Sequence, residues 1–250
     1  MVKVSIDNNG YSANTNYLVV GVPIGANFGV DYAGVWHNQA EIDAELAKPA
    51  GQRTMVSPSG FYKPGKPRYG DYNHDGNLNA DDYHYLGTPN PTLYGGFGNR
   101  FAYKNLSLDF FFQYNHGATM YNAIEFFMGA GAEYTNQFAY MVNRWTPSNP
   151  TSDIPAVNSR DNVPSSRFLH DASLIRLKTV QLNYTLKKGL PKIFRQVDVF
   201  FTASNLFLIT KYNGFDPEVN KGGTNSLIRA KDDGTYPNAR VFAFGVNVGF

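Results

Sequence analysis

The chain has 250 residues, of which 15% are aromatic and only 17% charged, and its net charge is +2; ordinary globular chains are about a quarter charged. Its Lys and Arg residues are scattered without a basic stripe, which argues against nucleic acid as a partner. The absence of cysteine removes disulfides and thiolate metal sites. Mean hydropathy is −0.36 and no run of about 18 apolar residues occurs, which excludes a membrane-spanning helix.

The N-terminal stretch MVKVSIDNNG has no charged segment leading into an apolar core, so it is not a signal peptide. The expectation is a fragment whose Met1 is not the start of the mature protein. Residues 1–7 read as a short strand before a turn at Asn9 and Gly10. Residues 17–21 read as a second strand, and Pro23 to Gly25 as a tight turn. From Phe28 to Trp36 aromatic and aliphatic residues alternate with smaller ones, as in a strand. Residues 39–47 have a helical pattern closed by Lys48 and Pro49. Residues 51–90, rich in Pro, Gly, Asn and Asp, read as a long structured loop.

The clearest hairpin follows. Leu93, Phe97, Phe101 and Tyr103 share one face of a strand. After a turn at Lys104 and Asn105, Leu106, Leu108, Phe110, Phe112 and Tyr114 share the face of another, opposite Ser107, Asp109, Gln113 and Asn115. Residues 116–167 form a second long excursion, with a helical pattern over 123–143. Three strands finish the chain, at 173–186, 197–210 and 239–250. In the last, Phe242, Phe244, Val246, Val248 and Phe250 lie opposite Val241, Ala243, Gly245, Asn247 and Gly249.

One greasy aromatic face and one small polar face suit either a soluble β-sandwich or a transmembrane β-barrel. Loop lengths decide between them. Connections at 23–25, 104–105 and 187–196 are short, whereas 38–90, 116–167 and 211–238 are long. Short turns on one side and long loops on the other is the asymmetry of outer-membrane barrels, with the long loops extracellular. The reading is all-β: an antiparallel transmembrane β-barrel segment of about seven or eight strands, drawn from a wider barrel. On this reading Asp109, Gln113 and Asn183 face the lumen, and Lys187 and Lys188 sit in solvent near the periplasmic surface. Tyr94, Tyr114, Tyr121, Trp145 and Tyr212 belong to the interfacial aromatic girdle rather than to a sugar-stacking site.

One motif carries metal chemistry. From Asp71 the chain reads DYNHDGNLNADD, with oxygen-bearing Asp71, Asn73, Asp75 and Asp82 at positions 1, 3, 5 and 12 and Gly76 at position 6. Asn77 would contribute its backbone carbonyl at position 7, and Asn79 a water-mediated contact at position 9. This is the spacing of a calcium loop, with Asp82 in place of the usual bidentate Glu. Helices flanking the loop are not expected, because Pro64 and Pro67 precede it. Against it stands an Asn/Asp/Gly-rich turn without metal. The five histidines lack metal-ligand spacing, and His170–Asp171 has no serine in a G-x-S-x-G elbow to serve. No catalytic residues are expected, and the chain does not read as an enzyme.

The runs VGVPIGANFGVDYAGVW (20–36), GDYNHDGNLNADD (70–82), SLIRLKTVQLNYTL (173–186), VFFTASNLFLITKYNGFDPEVN (199–220) and TYPNARVFAFGVNVGF (235–250) carry a resemblance. In order and through to the end, they resemble the C-terminal part of SusC/RagA-type TonB-dependent outer-membrane transporters of Bacteroidetes. The resemblance implies a 22-stranded barrel with an N-terminal plug, energised through TonB and paired with a SusD-like surface lipoprotein. It implies import of glycans, oligosaccharides or peptides across the Gram-negative outer membrane. It also implies that the terminal aromatic, Phe250, is the signal read by the barrel-assembly machinery. The plug and the TonB-contacting segment do not occur in these residues. A surface-binding or adhesion barrel without transport, or a non-functional gene fragment, is the alternative.

Overall fold

The computed structural model describes residues 4–5, 16–129, 136–159, 163–225 and 227–250. In chain order the strands begin β1 (Val4–Ser5), β2 (Tyr17–Leu18), β3 (Asn27–Gly29), β4 (Tyr32–Val35), β5 (Met55–Val56), β6 (Pro67–Gly70) and β7 (His84–Gly87). They continue with β8 (Leu93–Tyr103), β9 (Leu106–His116), β10 (Thr119–Asn122), β11 (Leu169–Asp171), β12 (Leu174–Leu186), β13 (Gln196–Thr210), β14 (Lys231–Asp232) and β15 (Val241–Gly249). The helices are α1 (Gln39–Leu46) and α2 (Ala123–Met128). Two compact units emerge. One comprises Met1–Pro89, Thr119–His170 and Asn220–Thr235; the other comprises Asn90–Ala118, Asp171–Val219 and Tyr236–Phe250.

The second unit is one antiparallel sheet of five long strands in the order β15-β13-β12-β9-β8. Its strands run 9 to 15 residues, against the roughly 9–11 that a tilted strand needs to cross a bilayer. Lys104 and Asn105 alone join β8 to β9, and Lys104 takes φ 53, the positive φ that tight hairpin turns require. At the opposite end the links from β9 to β12 and from β13 to β15 are long. The expected segregation of short turns from long loops therefore holds within the sheet.

The first unit is built differently, from short strand pairs around small buried cores. The sheet β4-β6-β5 covers Val35, Trp36, Val56 and Tyr69, all at most 1% exposed. Trp36 satisfies its indole by donating to Ser57 Oγ at 2.9 Å, and the Arg68 guanidinium lies over its ring. Helix α1 starts where the Asn38 side chain accepts from the Glu41 N–H, an N-cap contact that satisfies an otherwise orphaned donor. A separate cluster packs Tyr121, Ala123, Phe126 and Phe168.

The expected strands at 1–7, 17–21 and 28–36 are short and belong to this unit, so they do not join the five-stranded sheet. Between Phe28 and Trp36 the alternation is broken. Phe28, Val30, Val35 and Trp36 are all buried, which puts residues of both parities in a core. The segment accordingly divides into β3, paired with β7, and β4, paired with β6. The helix expected over 123–143 is also shorter. Helix α2 closes at Gly129, a 3-10 turn spans Ala139–Asn143, and 130–135 lie outside the described residues. The turn at Asn9 and Gly10 lies outside them as well.

Candidate functional site: the inner face of the wall and the 71–82 loop

Register assigns every residue of the five-stranded sheet to a face. Phe97 pairs with Phe112 and Phe101 with Leu108; Leu108 pairs with Leu182, Leu182 with Phe201, and Phe201 with Phe244. Residues directly opposite share a face, so these rows make one continuous apolar surface. Phe97, Phe101, Leu182, Phe201, Phe242, Phe244, Val246 and Val248 remain exposed on it. Such a surface is far larger than a water-soluble protein tolerates. The opposite face carries Arg100 beside Asp109, Asp109 beside Gln181, and Asn183, Thr202 and Asn247 in the rows that follow. Asp109, Gln113 and Asn183 therefore occupy the polar face, as expected of a lumen.

The polar face is also where the chain is most tightly cross-linked by charge. Arg176 on β12 is 3% exposed. Its Nη2 donates to Asp216 Oδ1 at 2.5 Å, and its Nε lies 2.6 Å from Glu218 Oε2. Lys178 Nζ reaches the same Glu218 at 3.0 Å, and Gln113 Nε2 donates to its other oxygen at 3.3 Å. Asp216 further accepts from the N–H of Glu218 and from the N–H and Nδ2 of Asn238. Arg176 and Lys178 stand two residues apart on β12, so their side chains project from the same face of the strand and act together. Two cations thus balance two carboxylates and tie residues 216–218, with Asn238, to the wall. Nothing in the spacing of residues 40 apart announced this network.

In the other unit, the 71–82 segment closes on itself as a loop. Asp71 is 3% exposed and Asp82 is fully buried. Asp71 Oδ2 accepts from the Gly76 N–H at 2.8 Å, Asn73 Oδ1 from Asp75 N at 3.0 Å, and Asp75 Oδ1 from Asn77 N at 2.7 Å. Asp82 joins the loop's ends, accepting from Tyr72 N and Asn79 N. Asn79 and Asp82 form a capping box for the 3-10 turn Ala80–Asp82. The Asn77 N–H first, and the amides of Asn73 and Asn79 after it, hold the Asp75 carboxyl below its ordinary value. His74 and Gly76 adopt φ 58 and 81, the left-handed backbone that winds the loop. One atom stands apart. Asp71 Oδ1 is buried with no hydrogen-bond partner, and an unpaired buried acceptor costs about 1–3 kcal/mol, more when charged.

Among the described residues no three His, Cys, Asp or Glu side chains converge by themselves as a metal-holding group. The three carboxylates of the loop, on Asp71, Asp75 and Asp82, therefore do not form such a group without the asparagine and backbone oxygens. All six, Asp71, Asn73, Asp75, Asn77, Asn79 and Asp82, do fall within this single loop.

Several aromatic residues expected in the girdle are elsewhere. Tyr121 is fully buried against Phe126 and Phe168, Tyr212 is 6% exposed, and the Trp145 indole donates to His37 O at 3.2 Å. Tyr94 pairs with Asn115 on the polar face, which leaves Tyr114 on the apolar one. Phe250 follows β15, largely exposed, with its ring 5.5 Å from that of Phe194. His170 Nε2 contacts Glu125 Oε2 at 2.6 Å, while Asp171 accepts from Ser173 N. The two neighbours serve separate structural contacts.

An antiparallel sheet with one apolar exposed face, one charged and hydrogen-bonded face, and loops sorted by length defines a segment of a transmembrane β-barrel wall. Comparison with known proteins carries this further. The chain is 38% identical to TonB-dependent receptor P26 of Formosa agariphila over 96% of its own length and 24% of that relative's. It is 24% identical to TonB-dependent receptor SusC of Bacteroides thetaiotaomicron, over 85% of this chain and 21% of SusC. Among solved structures it matches the RagAB peptide transporter with a TM-score of 0.74 at 23% identity, covering 99% of this chain and 24% of that one. No protein-family model matches. The chain is similar, over nearly its whole length, to part of the SusC/RagA-type TonB-dependent receptors, and its location is the Gram-negative outer membrane. It spans about a quarter of the length of the curated relatives it matches.

Proposed function

We propose that the chain forms part of the wall and the surface loops of an outer-membrane importer of glycans, oligosaccharides or peptides, powered through TonB and paired with a SusD-like lipoprotein. The observation that carries this reading is the inner face of the wall. Its Arg100, Asp109, Gln181, Asn183 and Thr202 line one side of the sheet with groups suited to a water-filled passage. On this reading residues 51–90 and 116–167 lie outside the cell, and residues 239–250 close the barrel, with Phe250 presented to the assembly machinery. The chain binds and passes its cargo without converting it.

The test is uptake of labelled oligosaccharides and peptides by cells carrying the whole receptor. Uptake that disappears when the receptor gene is deleted, or when the proton gradient feeding TonB is collapsed, supports import. A receptor that reaches the surface and binds cargo, yet leaves uptake unchanged on deletion, would make it an adhesion barrel.

A further inference from the structure

We propose that residues 71–82 hold one calcium ion and that Asp71 Oδ1 is its innermost ligand. The pattern of satisfied and unsatisfied oxygens carries the inference. The other carboxylate oxygen of Asp71 braces Gly76, and both oxygens of Asp82 and of Asp75 take up N–H groups of the loop. Among the carboxylate oxygens of the loop, Asp71 Oδ1 alone is buried with no donor offered to it. An anionic oxygen placed so is satisfied by a cation rather than by another N–H.

Charge points the same way. Asp71, Asp75 and Asp82 place three carboxylates in one short loop, and none of them forms an ion pair with Lys or Arg. Arg53, whose guanidinium lies beside Gly76, donates from it to the carbonyls of Lys48 and Leu46. A divalent ion supplies the missing positive charge. All the available donors are oxygens, which favours a hard cation, and a flexible set of six or more such ligands suits calcium better than the rigid octahedron of magnesium. Asn73, Asp75, the Asn77 carbonyl and Asp82 complete the shell, with Asn79 acting through a water.

The ion would fix a loop already joined to its surroundings. Asp71 N donates to Thr54 O at 3.0 Å, so the loop begins on the strand pair β5–β6. Calcium there would convert a turn held by weak internal bonds into a rigid element of the first unit. The site does not depend on what the receptor carries.

The experiment uses the whole receptor in detergent, stripped with a chelator. Terbium luminescence sensitised by Tyr72, at the second position of the loop, reports occupancy, and calorimetry reports calcium itself. The expected result is calcium binding with a Kd on the order of 10⁻⁴–10⁻³ M or tighter, and calcium-dependent protection of residues 71–82 from protease. Asp71→Asn weakens binding at least tenfold, Asp75→Asn does so as well, and Asp81→Asn, outside the ligand positions, leaves it unchanged. Asp75 is exposed, so its variant reads the site even where Asp71→Asn fails to fold. Absence of luminescence and of heat at about 10 mM calcium, well above that range, overturns the proposal. Binding that is indifferent to both Asp71→Asn and Asp75→Asn overturns it too.

Discussion

Replacing Asp216 by alanine strands several groups at once. Arg176 Nη2, the Glu218 N–H, and the N–H and Nδ2 of Asn238 all lose their acceptor. Arg176 and Asp216 are almost fully buried, with side-chain exposures of 4% and 2%. Removing one partner of such a pair costs about 3–5 kcal/mol, because the other charge stays buried without compensation. The opening reaction concerned is local, namely release of residues 216–218 and Asn238 from β12, so hydrogen exchange is the appropriate assay. The amides of Glu218 and Asn238 should exchange on the order of 10²–10³ times faster in Asp216→Ala, at tenfold per 1.4 kcal/mol.

The paired change Arg176→Met with Asp216→Leu removes one cation and one anion together and leaves Lys178 matched to Glu218. It should recover the part of the loss due to the stranded Arg176 charge, while the Glu218 and Asn238 N–H groups still lack their acceptor. An Asp216→Ala variant whose Glu218 and Asn238 amides exchange as in the wild type would refute the argument. So would a double variant more damaged than either single one.

Three further outcomes are expected. A side chain at Gly245 would enter the space of the Phe200 ring, which lies over that glycine; Gly245→Leu should cost about 1–3 kcal/mol by overpacking, and Phe200→Ala should relieve it in an unfolding titration. Phe244→Arg should destabilise the barrel by about 2–4 kcal/mol if it sits near the bilayer midplane, whereas Ala243→Arg, facing inward, should reduce the yield of folded barrel far less. Glu45 concerns acid. Burial alone would raise its pKa, but the Lys48 ammonium and the N–H groups of Thr54 and Met55 outweigh it and hold the carboxyl below 4.5. Its contribution is therefore complete above the unfolded value and is lost as pH falls through the lower folded one. Protection of the Thr54 and Met55 amides, measured by hydrogen exchange, should fall in that acid window, and Glu45→Gln should abolish the pH dependence.

The wall was legible in the sequence because its physics is local. Alternation in Leu106 to Tyr114, interrupted by Phe111, and in Phe242 to Val248 is the imprint of a strand between lipid and water, and both segments pair as that pattern requires. The two-residue link at Lys104 and Asn105 then fixes the register of β8 on β9. The same rule misled at Phe28 to Trp36. There an alternating composition folds into a core that buries residues of both parities, such as Val35 and Trp36. Periodicity reports burial on one side only when the other side is wet.

The 71–82 loop was visible because its donors are close in sequence. What the sequence withheld was which oxygen the fold leaves unsatisfied, a property of Asp71's burial rather than of its spacing. The Arg176, Lys178, Asp216 and Glu218 network was withheld for a different reason. It depends on pairing between residues far apart in the chain, which leaves no periodic trace.

The central claim is that one face of the five-stranded sheet meets lipid and the other meets water. It is tested most directly by single cysteines placed at each position from 241 to 248 of the whole receptor, in a segment with no native cysteine. Each would be probed in vesicles with a water-soluble maleimide and, once labelled with a fluorophore, with a lipid-borne quencher. The account predicts a period of two: quenching by lipid at 242, 244, 246 and 248, and aqueous labelling at 241, 243, 245 and 247. Uniform aqueous labelling along the strand, or quenching with no alternation, would contradict it.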